Sequence, residues 1–425
     1  MRAVGALSLT AIAMNGMIGA GIFALPANVA QLAGLGSPLV YIVAGTATLL
    51  IALCFAEAAS LFDASGGPYL YVKAAFGPFP GFQAGWMFVL TRATAVAAIS
   101  NTFAAYLGFF FPAVAHGAGR VATVTALIGV LAAINARGIR QGVWAINVLT
   151  AGKLIPLLVF CGAGLFFLDS RAFSLTAVPP LGSLQQACLL LFFALGGFEV
   201  ATVPSEEVIR PRRTVPLALI SGVTLVVLLY LLIQVVAMGT LPDLARSATP
   251  LASAAARFLG TGGGLLLTIG AILSTTGTDS SSILASSRML YALARGGQLP
   301  APLGELHARY RTPVAAIVVF AAVSWGLAIS GTFVQLAAVS ALARLLFYAA
   351  TCLAIPVLRR KMPGGTPEGQ RRFTLPGGPL IPLLAAALCV WLIVGSSFSQ
   401  VLMLAAAILV GALLYAASGA MSRAT

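Results

Sequence analysis

The most constraining stretch of this chain is Gly16-Met17-Ile18-Gly19-Ala20-Gly21-Ile22-Phe23-Ala24-Leu25-Pro26, in the middle of its first hydrophobic segment. Three glycines fall within six residues and a proline follows, a poor recipe for a continuous helix. Glycine costs roughly 1 kcal/mol relative to alanine in a helix interior. In hydrocarbon, unpaired backbone groups cost several kcal/mol each, so a broken helix is tolerated there only where it lines a cavity. Composition decides that hydrocarbon is the relevant solvent. Of 425 residues, 60% are hydrophobic and 8% charged, against about 25% charged in a soluble domain. The chain reads as a polytopic membrane protein whose first span is interrupted at a binding site.

Runs of about 20 apolar residues are long enough to cross a bilayer. Twelve are expected, at roughly 8–33, 38–61, 79–111, 120–136, 140–168, 185–206, 214–239, 262–292, 313–330, 333–357, 379–397 and 399–418. The first runs too long for a signal peptide and lacks a cleavage pattern. No stretch is long and polar enough to form a separate soluble domain.

The net charge of +14 would suggest nucleic acid, but the positions of the charges argue for topology instead. With a cytoplasmic N-terminus, one set of loops carries Arg2, Lys73, Arg137, Arg140, Arg210, Arg212, Arg213, Arg288, Arg295, Arg309, Arg311, Arg359, Arg360, Lys361, Arg371, Arg372 and Arg423. The opposite set carries Arg120, Arg171, Arg246 and Arg257. Basic residues mark cytoplasmic loops, so both termini are expected in the cytoplasm of a multi-pass cell-membrane protein.

Other function classes find little support. Cys54, Cys161, Cys188, Cys352 and Cys389 sit within apolar runs, neither a disulfide framework nor a metal motif, and read as small hydrophobes. No cofactor or metal is expected. His116 and His307 fall in loops, and no histidine lies within a span, which argues against a membrane-embedded enzyme. A phosphate-binding Gly-x-x-x-x-Gly-Lys-Ser/Thr pattern is missing, which excludes ATP-driven pumping within this chain. A channel would want a continuous polar stripe that these spans lack.

The sixth span repeats the oddity of the first. Phe192-Phe193-Ala194-Leu195-Gly196-Gly197-Phe198-Glu199 places paired glycines and an acid near its centre. Five spans separate the starts of the two, and an odd number of crossings inverts the second unit. Corresponding interrupted segments in two inverted halves are the best pointer in a sequence to a transporter's binding site.

Four places together resemble the amino acid–polyamine–organocation superfamily of permeases. They are Gly19-Ala20-Gly21-Ile22-Phe23 in span one and Ser65-Gly66-Gly67-Pro68-Tyr69-Leu70-Tyr71 with Phe76-Gly77-Pro78 and Gly85-Trp86 in and beyond the loop after span two. The others are Glu206-Glu207-Val208-Ile209-Arg210-Pro211-Arg212-Arg213-Thr214-Val215-Pro216 after span six and Ser287-Arg288-Met289-Leu290-Tyr291 ending span eight, then Gly297-Gln298-Leu299-Pro300. The resemblance covers about residues 5 to 360. It implies an all-α, leucine-transporter-like fold with two inverted five-helix repeats, 1–170 and 171–360, and two additional C-terminal helices in 361–425. It also implies a secondary transporter of amino acids working by alternating access, proton-coupled or exchanging. A transport-incompetent sensor on the same fold is the competing class, and no signalling tail is evident in its favour. The expected partners are an amino acid, protons and the lipid bilayer, with no nucleic acid, and the chain is a monomer or homodimer.

The site follows from backbone chemistry. Breaking span one leaves a half-helix starting near Ala20, Gly21 and Ile22, whose free N–H groups form the positive dipole end. A carboxylate suits that end, and glycine lets it approach. Freed carbonyls of Ala13 to Gly16 and of Phe193, Ala194 and Leu195 accept from an ammonium. Ile18, Gly19, Ala20, Gly21, Ile22, Phe193, Ala194, Leu195, Gly196 and Phe198 are therefore the expected substrate contacts, with Phe193 and Phe198 either gating or packing. The resemblance adds Arg92, at a depth where relatives contact the substrate side chain. Plain helix packing through small residues is the competing reading of the glycines.

Five ionisable residues, Arg92, Lys153, Glu199, Asp279 and Arg344, lie near the centres of their spans, where charges cost roughly 3 kcal/mol or more each. Some proton-coupled members of the resembled family place a lysine where Lys153 stands. Burial disfavours an ammonium against the neutral amine, so Lys153 is expected to couple protons by docking on span-one carbonyls and on Thr275 and Thr278. A permanent pair with Asp279 is the alternative. Glu199 and Asp279 complete the expected coupling group, although Glu199 could equally cap the unwound backbone. Arg92 either faces the pocket, disfavouring cationic substrates, or pairs with Glu199. Arg344 is expected to pair structurally, as are Glu57, Glu206 and Glu207 with nearby basic loops.

Overall fold

A computed structural model describes residues 5–62, 66–138, 143–172, 178–202, 208–362 and 373–422. Ser65, Glu206 and Glu207 lie outside the described residues. Fourteen α-helices carry the described chain: α1 Ala6–Met17, α2 Gly21–Ala33, α3 Ser37–Leu61, α4 Gly67–Phe76, α5 Pro78–Leu107, α6 Gly117–Ala136, α7 Val143–Gly164, α8 Leu181–Leu195, α9 Pro211–Thr240, α10 Pro250–Arg295, α11 Val314–Ser330, α12 Phe333–Lys361, α13 Leu380–Val394 and α14 Phe398–Ser422. Seven helical stretches are long and apolar enough to cross a membrane, and five shorter apolar helices accompany them. Helices satisfy every backbone group within one segment, which is what a solvent without hydrogen-bonding capacity requires.

The first apolar run is two helices, not one. α1 stops at Met17 and α2 starts at Gly21. The expected loop after the second run is instead mostly the helix α4. Gly66 and Gly67 turn the chain with φ of 147° and 52°, and Pro68 follows in the first turn, where its missing N–H costs nothing. α10 extends well before the expected start at 262, because a second helical stretch joins it across a kink at Gly260, whose φ is 68°.

α5 runs through the middle of the molecule against α10, α11 and α12, while α3 packs on α8 and α9. Small residues allow the close crossings, as membrane helices require. A Cβ on Gly152 of α7 would lie 2.7 Å from a Leu273 methyl, and one on Gly270 of α10 would lie 2.9 Å from the Pro156 ring. Outward faces are apolar instead. Leu380, Val394, Phe398, Leu402 and Leu413 on α13 and α14 are all more than half exposed, a surface suited to lipid.

At one end of the bundle, Glu57 fastens three segments together. Its oxygens accept from Arg359 Nε at 2.6 Å, Arg359 Nη2 at 2.7 Å and the Leu375 amide at 2.9 Å. Arg359 Nη1 also donates to the Gly378 carbonyl at 2.6 Å. The sequence expectation of a Glu57–basic pair is met by this two-point geometry, the stronger kind of charge-assisted contact. Glu57→Gln should destabilise by about 1.5–3 kcal/mol, because it strips the charge from a nearly buried network. A thermal-unfolding midpoint in detergent matching wild type would contradict this.

Candidate functional site

The two interruptions meet inside the molecule. After α1, Ile18 leaves helical geometry at φ −75° and ψ 88°, and Gly19 and Ala20 carry the chain to α2. After α8, Gly196 is extended and Gly197 adopts φ 116°, a region that side-chain-bearing residues rarely enter. A single turn, Phe198–Thr202, follows. The breaks abut backbone to backbone: a Cβ on Gly16 would stand 2.7 Å from the Gly197 carbonyl oxygen, and one on Gly197 would run into the Gly16 carbonyl. Next to them, a Cβ on Gly21 would stand 2.6 Å from the Ala194 methyl. These glycines serve close helix approach and chain interruption at once.

Each freed end has its own partner. The Lys153 ammonium, 2% exposed, donates to the carbonyls of Ile18 at 3.0 Å and Asn15 at 3.3 Å, at the negative end of α1. Ser274 Oγ also donates to the Ile18 carbonyl, at 3.3 Å, and Tyr230 donates to Met17 at 3.0 Å. Thr275 and Thr278, expected beside Lys153, instead bond the carbonyls of Ala271 and Ser274 in their own helix, a local option always open to threonine. The span-eight hydroxyl that hydrogen-bonds the break is Ser274, while the Thr278 side chain lies against Gly19. Asp279 is fully buried and accepts from Ser100 Oγ at 2.9 Å; among the described residues it forms no ion pair with Lys153.

The second break is organised by Glu199, which is fully buried. One oxygen accepts from the Gly197 amide at 2.8 Å and from Tyr348 at 2.7 Å. The other accepts from Arg92 Nη2 at 3.1 Å and faces Arg344 Nε at 3.9 Å. Glu199 thus caps the unwound turn, and Arg92 takes it as partner while still lining both cavities described below. Arg344 Nη1 donates to the carbonyls of Phe192 at 2.9 Å and Phe193 at 3.1 Å. The Phe193 carbonyl, expected to await an ammonium, is occupied by a guanidinium. Its place is made by Gly196, where any Cβ would coincide with the Arg344 head.

Two cavities join at this junction. A vestibule of about 690 Å³ reaches from Arg288, Tyr310 and Arg311 inward to Asn15, Gly16, Arg92, Lys153 and Thr278. Beyond Gly16, Arg92 and Thr278 lies a small chamber of about 20 Å³, bounded by Gly19, Ala20, Gly21, Phe193, Ala194, Gly196, Ser282 and Arg344. Seven of the expected substrate contacts line the chamber: Gly19, Ala20, Gly21, Phe193, Ala194, Gly196 and Arg92. Ile18, Ile22 and Leu195 are buried and line neither cavity, and Phe198 packs on Phe55 and Tyr348 with ring centroids 5.4 and 5.2 Å away. Among the described residues, the Ser282 hydroxyl, buried at the chamber, has no hydrogen-bond partner.

Sequence reasoning underrated Arg344 and missed Tyr348, Tyr230, Ser274, Ser100 and Ser282. One signal was available: Arg344 and Tyr348 are four residues apart and so share a helix face. The others depend on which helices meet.

An all-helical, multi-pass protein with two interrupted helices meeting at an internal chamber belongs to the membrane transporters. A family model described as amino acid permease matches residues 4–415, and the chain belongs to that family, within the amino acid–polyamine–organocation superfamily. It is 33% identical to an uncharacterised transporter of Mycobacterium tuberculosis, over 97% of this chain and 90% of the relative. It is 27% identical to a branched-chain amino acid permease of Bacillus subtilis, over 97% and 92%. Against the human large neutral amino acids transporter small subunit 2, identity is 31% over 85% and 70%.

Gly197→Ala should destabilise by about 1–3 kcal/mol, since it strains the backbone and strikes the Gly16 carbonyl. Gly129→Ala, with open space around its Cβ position, should be neutral or slightly stabilising. Equal unfolding midpoints for the two variants in detergent would remove the backbone contact from the account.

Proposed function

We propose that this protein is a secondary transporter of amino acids whose substrate binds where the two interrupted helices meet. The observation that carries the reading is the direct backbone contact of Gly16 with Gly197 beside a chamber lined by the start of α2. The first N–H groups of a helix have no partner in their own turn, so a substrate carboxylate is held there. The ammonium is left the Ala194 carbonyl and the Ser282 hydroxyl, because Arg344 takes the carbonyls of Phe192 and Phe193.

Alternating access explains the unequal cavities. The vestibule has room for an amino acid, while the chamber at about 20 Å³ holds no more than a water. Binding therefore requires α1, α2 and α8 to move relative to α5 and α10. Arg288 and Arg311 at the mouth belong to the arginine-rich loop set, which supports reading the vestibule as the cytoplasmic approach, with both termini cytoplasmic. In this reading twelve spans form two inverted five-helix repeats, 1–170 and 171–360, followed by two helices in 361–425. Its further partners are lipid and protons, with one or two copies of the chain per transporter.

Lys153 is the coupling group. Its ammonium ties the end of α1 to α7, and as a neutral amine it would release that end. Glu199 and Asp279 stand beside the path as secondary proton carriers. Lys153→Ala should abolish accumulation of amino acid driven by an imposed pH gradient in liposomes, while exchange of internal for external substrate persists. Undiminished pH-driven accumulation by the variant would remove Lys153 from coupling. Loss of the gradient dependence in wild type as well would favour a pure exchanger.

A further inference from the structure

The path from the mouth to the chamber is lined by cations and, among the described residues, by no carboxylate. The vestibule carries Arg92, Lys153, Arg288 and Arg311, and the chamber carries Arg92 and Arg344. Glu199 lies behind the two chamber arginines and already serves Tyr348, the Gly197 amide and Arg92. Two guanidinium groups against one carboxylate leave an excess of positive charge among buried side chains. The side chains of Arg92 and Arg344 are 6% and 3% exposed; among the described residues the Nε of neither has a hydrogen-bond partner, that of Arg344 standing 3.9 Å from Glu199. An uncompensated buried charge is costly, and a zwitterion brings no net charge to offset it.

We propose that the substrate is an acidic amino acid, its side-chain carboxylate held between Arg92 and Arg344 while its α-carboxylate meets the start of α2. This rests on the reading of the junction as an amino acid site. A guanidinium is the side chain best matched to a carboxylate, presenting parallel donors in a fixed fork. Arg344 is kept in place by the Phe192 and Phe193 carbonyls and by the space that Gly196 leaves, so its head is oriented before substrate arrives. The cationic vestibule raises the local concentration of an anionic substrate and disfavours a cationic one. The inference separates this chain from its relatives named for branched-chain and large neutral amino acids.

The test uses the full chain in liposomes, with radiolabelled L-glutamate uptake competed by L-aspartate, L-glutamine, L-leucine and L-lysine. Glutamate and aspartate should compete at least tenfold better than glutamine, the uncharged isostere of glutamate, and this comparison needs no variant. Arg344→Gln and Arg344→Lys should each cut glutamate uptake by about tenfold or more, the lysine variant because it keeps the charge and loses the fork. If labelled leucine or glutamine is transported and glutamate fails to compete, the acidic substrate is wrong and the transporter reading survives. If no amino acid is transported or competes, the amino acid site itself falls and this inference with it.

Discussion

Everything at the centre of this molecule depends on two polypeptide backbones approaching closer than side chains permit. Gly16 and Gly197 each leave no room for a Cβ against the other's carbonyl, and Gly21 is as close to Ala194. A membrane interior offers no water to satisfy the groups such interruptions expose. The interruptions therefore survive only because neighbouring helices supply replacements at each end: Lys153 and Tyr230 for α1, Glu199 for the Gly197 turn, Arg344 for α8.

These replacements are mostly ionic, and their arrangement sets the electrical character of the site. Lys153 meets carbonyls rather than an acid, which leaves its charge supported by dipoles alone. Glu199 is shared among an amide, a tyrosine and an arginine, with a second arginine behind. Asp279 is held by a serine, away from the lysine that the sequence offered as its partner. These two acids are held by structural partners behind the cavity walls, and the surplus of positive charge faces the cavities.

Under the alternating access proposed above, the closed chamber and open vestibule are one state of at least two. α1 and the turn at Phe198–Thr202 are short, interrupted pieces, whereas α5 and α10 are long helices crossing behind them. Short segments joined through glycine reorient at small cost to the rest of the core. Phe198 belongs to the short turn, clasped by Phe55 and Tyr348. Tyr348 also holds Glu199, so any motion of the turn must reset aromatic packing and the charge network together.

The sequence by itself determined the solvent, the helical class, both interruptions and the five buried charges, because each is a local property: hydropathy over a span, glycine against helix propensity, a charge amid apolar residues. It also carried the family, since the motifs that resemble the permeases are contiguous. It misjudged α4, where a glycine-rich motif looked like a loop although Pro68 starts a helix well. Only the tertiary structure decided which partner each charge takes. Arg92 and Glu199 are 107 residues apart, Lys153 and Ile18 are 135 apart, and Arg344 reaches α8 across 152. Pairings over such separations are fixed by helix crossing and side-chain reach, and neither is written in the residues next door.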